Sequence, residues 1–281
     1  MIRIVTDNAS DITLAQAKEM GVELISLVTS FEDGAFPLDT NEDYDRLYAR
    51  LAQCKSLPFT SRPTPDAYMQ IYRAAREAGD DVIVLTLSSG LSGTYESACV
   101  AKVMQDYDRI TVIDTEQAVM AQRLLVEHAV ALRDKGCTAN VIVREVLDLR
   151  DCVTVLGVIG SLVNLRRGGR IPPALGIIGD ALGIKPVITV KDKLIVDVGK
   201  VRGIRSGIAM THKMLDLDGV DPDYPVIFGY TSNCALGESY MQDTVQRYGI
   251  QNARLCQVGG IIGTHLGPES IGVAYVRRKR G

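Results

Sequence analysis

Four hydroxyls and two glycines crowd into seven residues at Ser88-Ser89-Gly90-Leu91-Ser92-Gly93-Thr94. An apolar run, Val82-Ile83-Val84-Leu85-Thr86-Leu87, precedes them, and a helix-like stretch with Ala98, Ala101 and Val103 follows. A strand that feeds a small hydroxyl-rich loop and then a helix is suited to an anion. The first N–H groups of a helix lack partners, and its dipole favours negative charge there. Glycines let the backbone approach a ligand, and Ser and Thr hydroxyls donate to it. The plainer alternative is a Ser/Thr helix cap with nothing bound, and this segment alone does not choose. Thr60-Ser61, in Pro58-Phe59-Thr60-Ser61-Arg62-Pro63-Thr64-Pro65, is a second hydroxyl-bearing loop. Arg170 follows Gly168-Gly169 in apolar surroundings; its fork of donors suits a carboxylate or phosphate, or an ion pair with a nearby acid. Arg202, close to Lys200, has the same two readings. His265 stands in Gly263-Thr264-His265-Leu266-Gly267-Pro268, where backbone can approach a ligand closely, although a lone His is more often structural. Ser92 and His265 could also serve as nucleophile and base of a lipid ester hydrolase, but no G-x-S-x-G motif supports it and no acid stands out to orient His265.

The elements that must position these residues alternate through the first half. Strands are predicted at 2–6, 22–30, 82–87 and 110–114, with helices to about Met20 and over 41–54, 65–78, 95–105, 118–135 and 138–150. Such alternation indicates a mostly parallel sheet flanked by helices. Ligands of such sheets bind beyond the carboxyl ends of the strands, and the loops at Asp7, Thr60, Ser88 and Asp114 could face one crevice. After Asp151 the pattern changes. A strand over 153–159, a short helix ended by Gly168-Gly169, a helix over 172–182 and an antiparallel hairpin over 184–198 come first. Helices over 206–217 and 236–248 then mix with strands over 225–230, 253–258 and 271–277. Residues 259–268 read as a third glycine-rich loop. The expected class is therefore α/β. An N-terminal parallel-sheet domain spans 1–155 and a C-terminal α+β domain 156–281, with a ligand between or within the domains.

Composition excludes several classes. Hydrophobic content is 46% and charged content 23%, as expected of a globular protein with a sizeable core. A net charge of −3 argues against nucleic acid as the main partner, and four Phe with no Trp give little stacking surface. The six cysteines, Cys54, Cys99, Cys137, Cys152, Cys234 and Cys256, form no C-x-x-C pair. The three histidines are too far apart in sequence to suggest a metal site. Neither a phosphate-binding G-x-x-x-x-G-K-[ST] loop nor a dinucleotide G-x-G-x-x-G is present. Met1-Ile2-Arg3-Ile4-Val5 goes straight into a strand pattern, and no apolar run approaches the roughly 20 residues of a membrane span. A cytoplasmic setting is expected.

Taken together the loops resemble the DegV family of bacterial fatty-acid-binding proteins over nearly the whole chain. Val5-Thr6-Asp7 with Ser10-Asp11 is similar to its opening, residues 59–65 to its T-S-Q-P-[ST]-P loop, and residues 88–98 to its most recognisable motif. Asp114-Thr115, Gly168-Gly169-Arg170, Ile184-Lys185-Pro186 and residues 263–268 fall in the family's order. Arg62 departs from the usual Gln, Glu269 from the Gly that commonly follows Gly-Pro, and Ala118 and its neighbours from a small-residue pattern. The resemblance implies a lipid-binding carrier in phospholipid metabolism. The protein would hold one long-chain fatty acid, such as palmitate or oleate, and present its carboxylate to a separate ATP-binding fatty acid kinase subunit. It would have no cofactor and no catalytic residues of its own. It implies carboxylate contacts at Thr60, Ser61, Ser92, Gly93, His265 and Arg170, with Arg170 and Arg202 facing the kinase or stabilising phosphate charge. The helices at 118–132 and 172–182 would line the acyl pocket. A monomer is expected, and transient membrane contact is compatible with the reading.

Overall fold

The computed structural model describes residues 1–54, 56–171 and 183–278. The helix expected over 172–182 lies outside the described residues. Strand β1 (Ile2–Asp7) runs through the centre of a four-stranded sheet with β2 (Val22–Ile25), β6 (Asp81–Thr86) and β7 (Ile110–Asp114), in the order β2-β1-β6-β7 and parallel throughout. Parallel strands need crossovers, usually helical. These are α1 (Leu14–Met20) between β1 and β2 and α4 (Thr94–Gln105) between β6 and β7, with α2 (Asn41–Gln53) and α3 (Pro65–Ala78) between β2 and β6. Thr13 caps α1 in a reciprocal box with Gln16, and Gly21 closes it in the left-handed conformation.

The strand expected over 22–30 is broken. Asn8 is the cause: its Nδ2 donates to the Leu27 carbonyl (3.1 Å) and its Oδ1 accepts from the Leu27 N–H (2.9 Å). That buried amide takes the place of a strand partner and turns the chain out of the sheet. Beyond it, β3 (Val28–Phe31) pairs antiparallel with β4 (Gly34–Phe36) and with β5 (Phe59–Ser61), the segment read as a loop around Thr60.

The second sheet holds β8 (Val153–Val158), β9 (Ile184–Lys191), β10 (Leu194–Arg202), β11 (Val226–Tyr230), β12 (Ala253–Gln257) and β13 (Ile271–Val276). Its order is β10-β9-β8-β13-β11-β12, with only β11 and β12 parallel. The short α7 (Val163–Arg167) follows β8, and α8 (Ile204–Asp218) and α9 (Cys234–Tyr248) flank β11 in sequence. Helix α5 (Val119–Asp134) packs between the two sheets. Met120, Leu124, Leu125 and Val126 are buried in one core with Ile4, Ile83 and Leu85 of the first sheet and Val155, Ile227 and Ala274 of the second. A helix apolar on most sides is a buried helix. Helix α6 (Ala139–Arg150) packs beside it.

Residues 259–268 are not a loop. They contain α10 (Gly260–Leu266). The glycines serve close packing here: a Cβ on Gly260 would meet Leu38 and Leu47, and one on Gly263 would overlap the Tyr48 hydroxyl. That hydroxyl donates to the Val258 carbonyl at 2.7 Å and anchors the helix start.

Candidate functional site

The site is assembled from strand ends and a hairpin tip. Asp7, at the end of β1, is fully buried and accepts from the backbone N–H of Leu87 (2.7 Å) and of Ala9 (3.1 Å) and from Gln122 Nε2 (3.1 Å). Burial pushes its carboxyl up to about 6 despite these three bonds. Its task is to fix the chain as β6 enters the hydroxyl-rich loop. Asp114, at the end of β7, fixes the same loop further on. It accepts from Ser89 N–H (3.1 Å), Ser89 Oγ (2.5 Å) and Glu116 N–H (3.0 Å), and pairs with Lys193 Nζ (3.0 Å). Burial acts against its charged form, but the bonds from Ser89, Glu116 and Lys193 win and hold it below the usual carboxylate range. Ser88 Oγ donates to the Lys193 carbonyl at 2.8 Å, so the turn between β9 and β10 sits against the loop. Gly90 is glycine for this reason, since a Cβ would overlap the Lys193 carbonyl.

Around this frame the structure brings together Thr60, Ser61, Ser92, Gly93, Arg170 and His265, all of which line one cavity of about 250 Å³. Thr60 Oγ1 and His265 Nε2 are hydrogen-bonded at 3.0 Å. Ser92 Oγ and Thr94 Oγ1 are bonded at 2.9 Å. Arg170 donates from Nη1 to the Gly168 carbonyl (2.7 Å) and from Nε to the Leu91 carbonyl (3.4 Å). Arg62 also lines the cavity; it donates to the Gly93 carbonyl (3.2 Å) and occupies the space a Cβ on Gly93 would need. Burial, aided by Arg170, pushes the His265 ring down to about 4, so it is neutral at pH 7. Among the described residues its Nδ1, which is buried, has no hydrogen-bond partner. The remaining walls are mostly apolar: Leu27, Leu87, Val119 and Met120 from the first sheet's side, Leu156, Ile188 and Ile271 from the second sheet, and Ile261 from α10.

Arg202 is not brought to the cavity. It is exposed at the end of β10, its stem 3.9 Å from where a Cβ on Gly183 would lie. The hydrolase arrangement is not formed either. Ser92 is bonded to Thr94 and His265 to Thr60, and no acid orients Nδ1 of the ring. Of the two pocket helices expected, only the start of α5 can be placed, through Ala118, Val119 and Met120. The cavity floor was missed in the sequence. Gly157 and Gly272 form part of it, and only the pairing of β8 with β13 shows that these glycines are neighbours. Among the described residues no group of three His, Cys, Asp or Glu is placed to hold a metal, and no helix is long and apolar enough to cross a membrane.

Residues 1–278 match the DegV family, whose members are described as uncharacterised proteins. The chain belongs to the DegV family. A DegV domain-containing protein of Clostridium perfringens is 28% identical, covering 98% of this chain and 99% of its own length. Among solved structures, a fatty-acid-binding DegV family protein from Thermus thermophilus superposes with a TM-score of 0.87 at 26% identity, over 98% of this chain and 99% of its own. A stearic-acid-binding protein from Eubacterium ventriosum gives 0.87 at 28% identity, over 99% and 98%. The DegV fold of these neighbours is the fold described above, an α/β arrangement with a parallel four-stranded sheet and a mixed second sheet.

Proposed function

We propose that this DegV protein binds one long-chain fatty acid, such as palmitate or oleate. The tail lies in the apolar cavity and the carboxylate at the end formed by Thr60, Ser61, Ser92, Gly93, His265 and Arg170. The observation that carries this reading is a mostly apolar cavity with the hydrogen-bonded Thr60–His265 pair in its lining. Burying about fifteen methylenes at roughly 0.8 kcal/mol each is on the order of 12 kcal/mol of gross driving force. A carboxylate removed from water offsets much of that unless it is hydrogen-bonded. The pairs at this end suit the task. With His265 protonated on Nε2, the ring donates to Thr60 Oγ1 and leaves the Thr60 proton for the ligand. Thr94 donating to Ser92 leaves the Ser92 proton in the same way. A neutral His265 adds no charge to be desolvated, and Arg170 supplies the cation.

In this reading the chain is a cytoplasmic, monomeric carrier in phospholipid metabolism and not itself an enzyme. It presents the carboxylate to a separate ATP-dependent kinase subunit, which converts it to an acyl-phosphate. Residues 1–155 and 156–281, a division that falls within β8, are the two halves proposed to close on the lipid. Arg170, at the cavity mouth, and the exposed Arg202 are the cations offered to that partner or to the phosphate. The test has two stages. Delipidated protein is titrated with palmitate and with oleate, and one equivalent is expected to bind. The loaded protein is then mixed with a fatty acid kinase subunit and ATP, and Arg170→Ala, which also weakens binding, is expected to slow acyl-phosphate formation at least tenfold even when saturated with lipid. Absence of lipid binding defeats the whole reading; binding without phosphorylation defeats the kinase partnership.

A further inference from the structure

Three glycines line up across the second sheet. Gly157 of β8 pairs with Gly272 of β13, which pairs with Gly229 of β11. Directly paired residues of antiparallel strands project to the same face, so the row is a trough without side chains, three strands wide. Ile188 of β9 lies beside it, paired with Gly157. The cavity runs over Ile188, Gly157 and Gly272, and Gly229 is not among its lining residues. Met120 is the reason. Its thioether lies on Gly229: a Cβ there would be 2.6 Å from Sδ and 2.7 Å from Cε, and a Cβ on Gly272 would be 3.2 Å from Cε. Met120 is buried and itself lines the cavity. The residue before it, Val119, has φ +50°, a conformation that β-branched residues rarely adopt. The chain takes this turn as it enters α5, and Met120 follows it into the trough.

We propose that Met120, seated on Gly229, is the stop that sets the length of acyl chain the cavity accepts. This rests on the lipid-binding reading above. A tail lying along the trough meets the thioether where β13 gives way to β11. Removing the thioether lengthens the trough by one strand spacing, about 4.8 Å, which is the length of a few methylenes. Filling the trough at Gly229 does the reverse, because Val258 also bounds that position at 3.3 Å and the flexible methionine end is displaced toward the cavity.

The test is the affinity of delipidated protein for saturated fatty acids of increasing length. Each methylene that enters the cavity is expected to tighten binding roughly fourfold, up to a break beyond which affinity falls. Met120→Ala is expected to move the break to longer acids and Gly229→Ala to shorter ones. The double variant is expected to keep the longer break of Met120→Ala, since the thioether through which Gly229→Ala acts is gone. Gly229→Ala does not touch the ligand in this account, so its effect on length must vanish when Met120 is absent. A break at the same length in wild type and in a folded Met120→Ala that binds shorter acids normally overturns the proposal alone. So does a Gly229→Ala effect that persists in the double variant. If wild type binds no acid of any length, the lipid-binding reading fails, and this proposal with it.

Discussion

Replacing Thr60 with valine removes a hydroxyl and little else. Thr60 lies in β5 opposite Thr29 of β3, and a β-branched valine suits that strand. Two losses follow. The bound carboxylate loses a donor, and a hydrogen bond to a charged group contributes a net 1.5–3 kcal/mol or so. At about 1.4 kcal/mol per tenfold, fatty acid affinity is expected to weaken about 10- to 150-fold. His265 Nε2 loses its 3.0 Å partner as well, and Nδ1 already has none. Both ring nitrogens are then unsatisfied in a buried setting, which costs about 1–3 kcal/mol. The melting temperature of the lipid-free protein is expected to fall by several degrees. Thr60→Ser keeps the hydroxyl and is expected to bind within about threefold of wild type. Titration of delipidated protein with palmitate measures the first effect and thermal denaturation the second. A Thr60→Val protein that binds palmitate as tightly as wild type refutes the reasoning, because the Thr60–His265 pair would then not hold the carboxylate.

Two further outcomes test the frame around the site. Asp11 is buried, with Oδ1 accepting from Gly259 N–H at 2.7 Å and Oδ2 unpartnered; burial pushes its carboxyl up to about 7, against the smaller pull of Arg123. The folded state keeps this proton where the unfolded state has lost it, so Asp11 makes stability fall as pH rises from 3.8 to about 7, by an amplitude on the order of 4 kcal/mol. Asp7 acts in the same direction up to about 6, and His265, depressed to about 4, acts oppositely as pH falls below 6.5. Asp11→Asn is therefore expected to gain stability relative to wild type as pH is raised from 4 to 8 in chemical denaturation, and a constant difference across that range would contradict this. Gly90→Ala forces a Cβ onto the Lys193 carbonyl and is expected to destabilise by roughly 1–3 kcal/mol. Lys193→Ala removes half-exposed ion pairs with Asp114 and Glu116, which solvent screens, and is expected to cost less than Gly90→Ala. Equal melting temperatures for these two variants would show that the hairpin tip is not seated on the loop.

The parallel half of the fold was legible because its signals are local: apolar runs, proline at the start of α3 and glycines at helix ends. The family resemblance implied the company kept by Thr60, Ser92, Arg170 and His265, which β5, the loop before α4, the segment after α7 and α10 carry to one cavity. What escaped depends on contacts distant in sequence. Asn8 breaks the strand at Leu27 across 19 residues, and a hydrophobic run shows no trace of it. The glycines of α10 look like loop glycines until Leu38, Leu47 and Tyr48 are seen pressing on them. Gly157, Gly229 and Gly272 are unremarkable in their own strands; register alone makes them a trough. The hydrolase alternative needed a Ser92–His265 bond and an acid on Nδ1, and no spacing in the sequence could show that Thr60 and Thr94 take those hydroxyl and ring contacts instead.

The most direct measurement is native mass spectrometry of the protein as purified from a bacterial host, followed by denaturation to release and weigh any ligand. The account predicts a single copy of a long-chain fatty acid per chain. A protein that is empty as purified, and that takes up neither palmitate nor oleate when they are added, would contradict it.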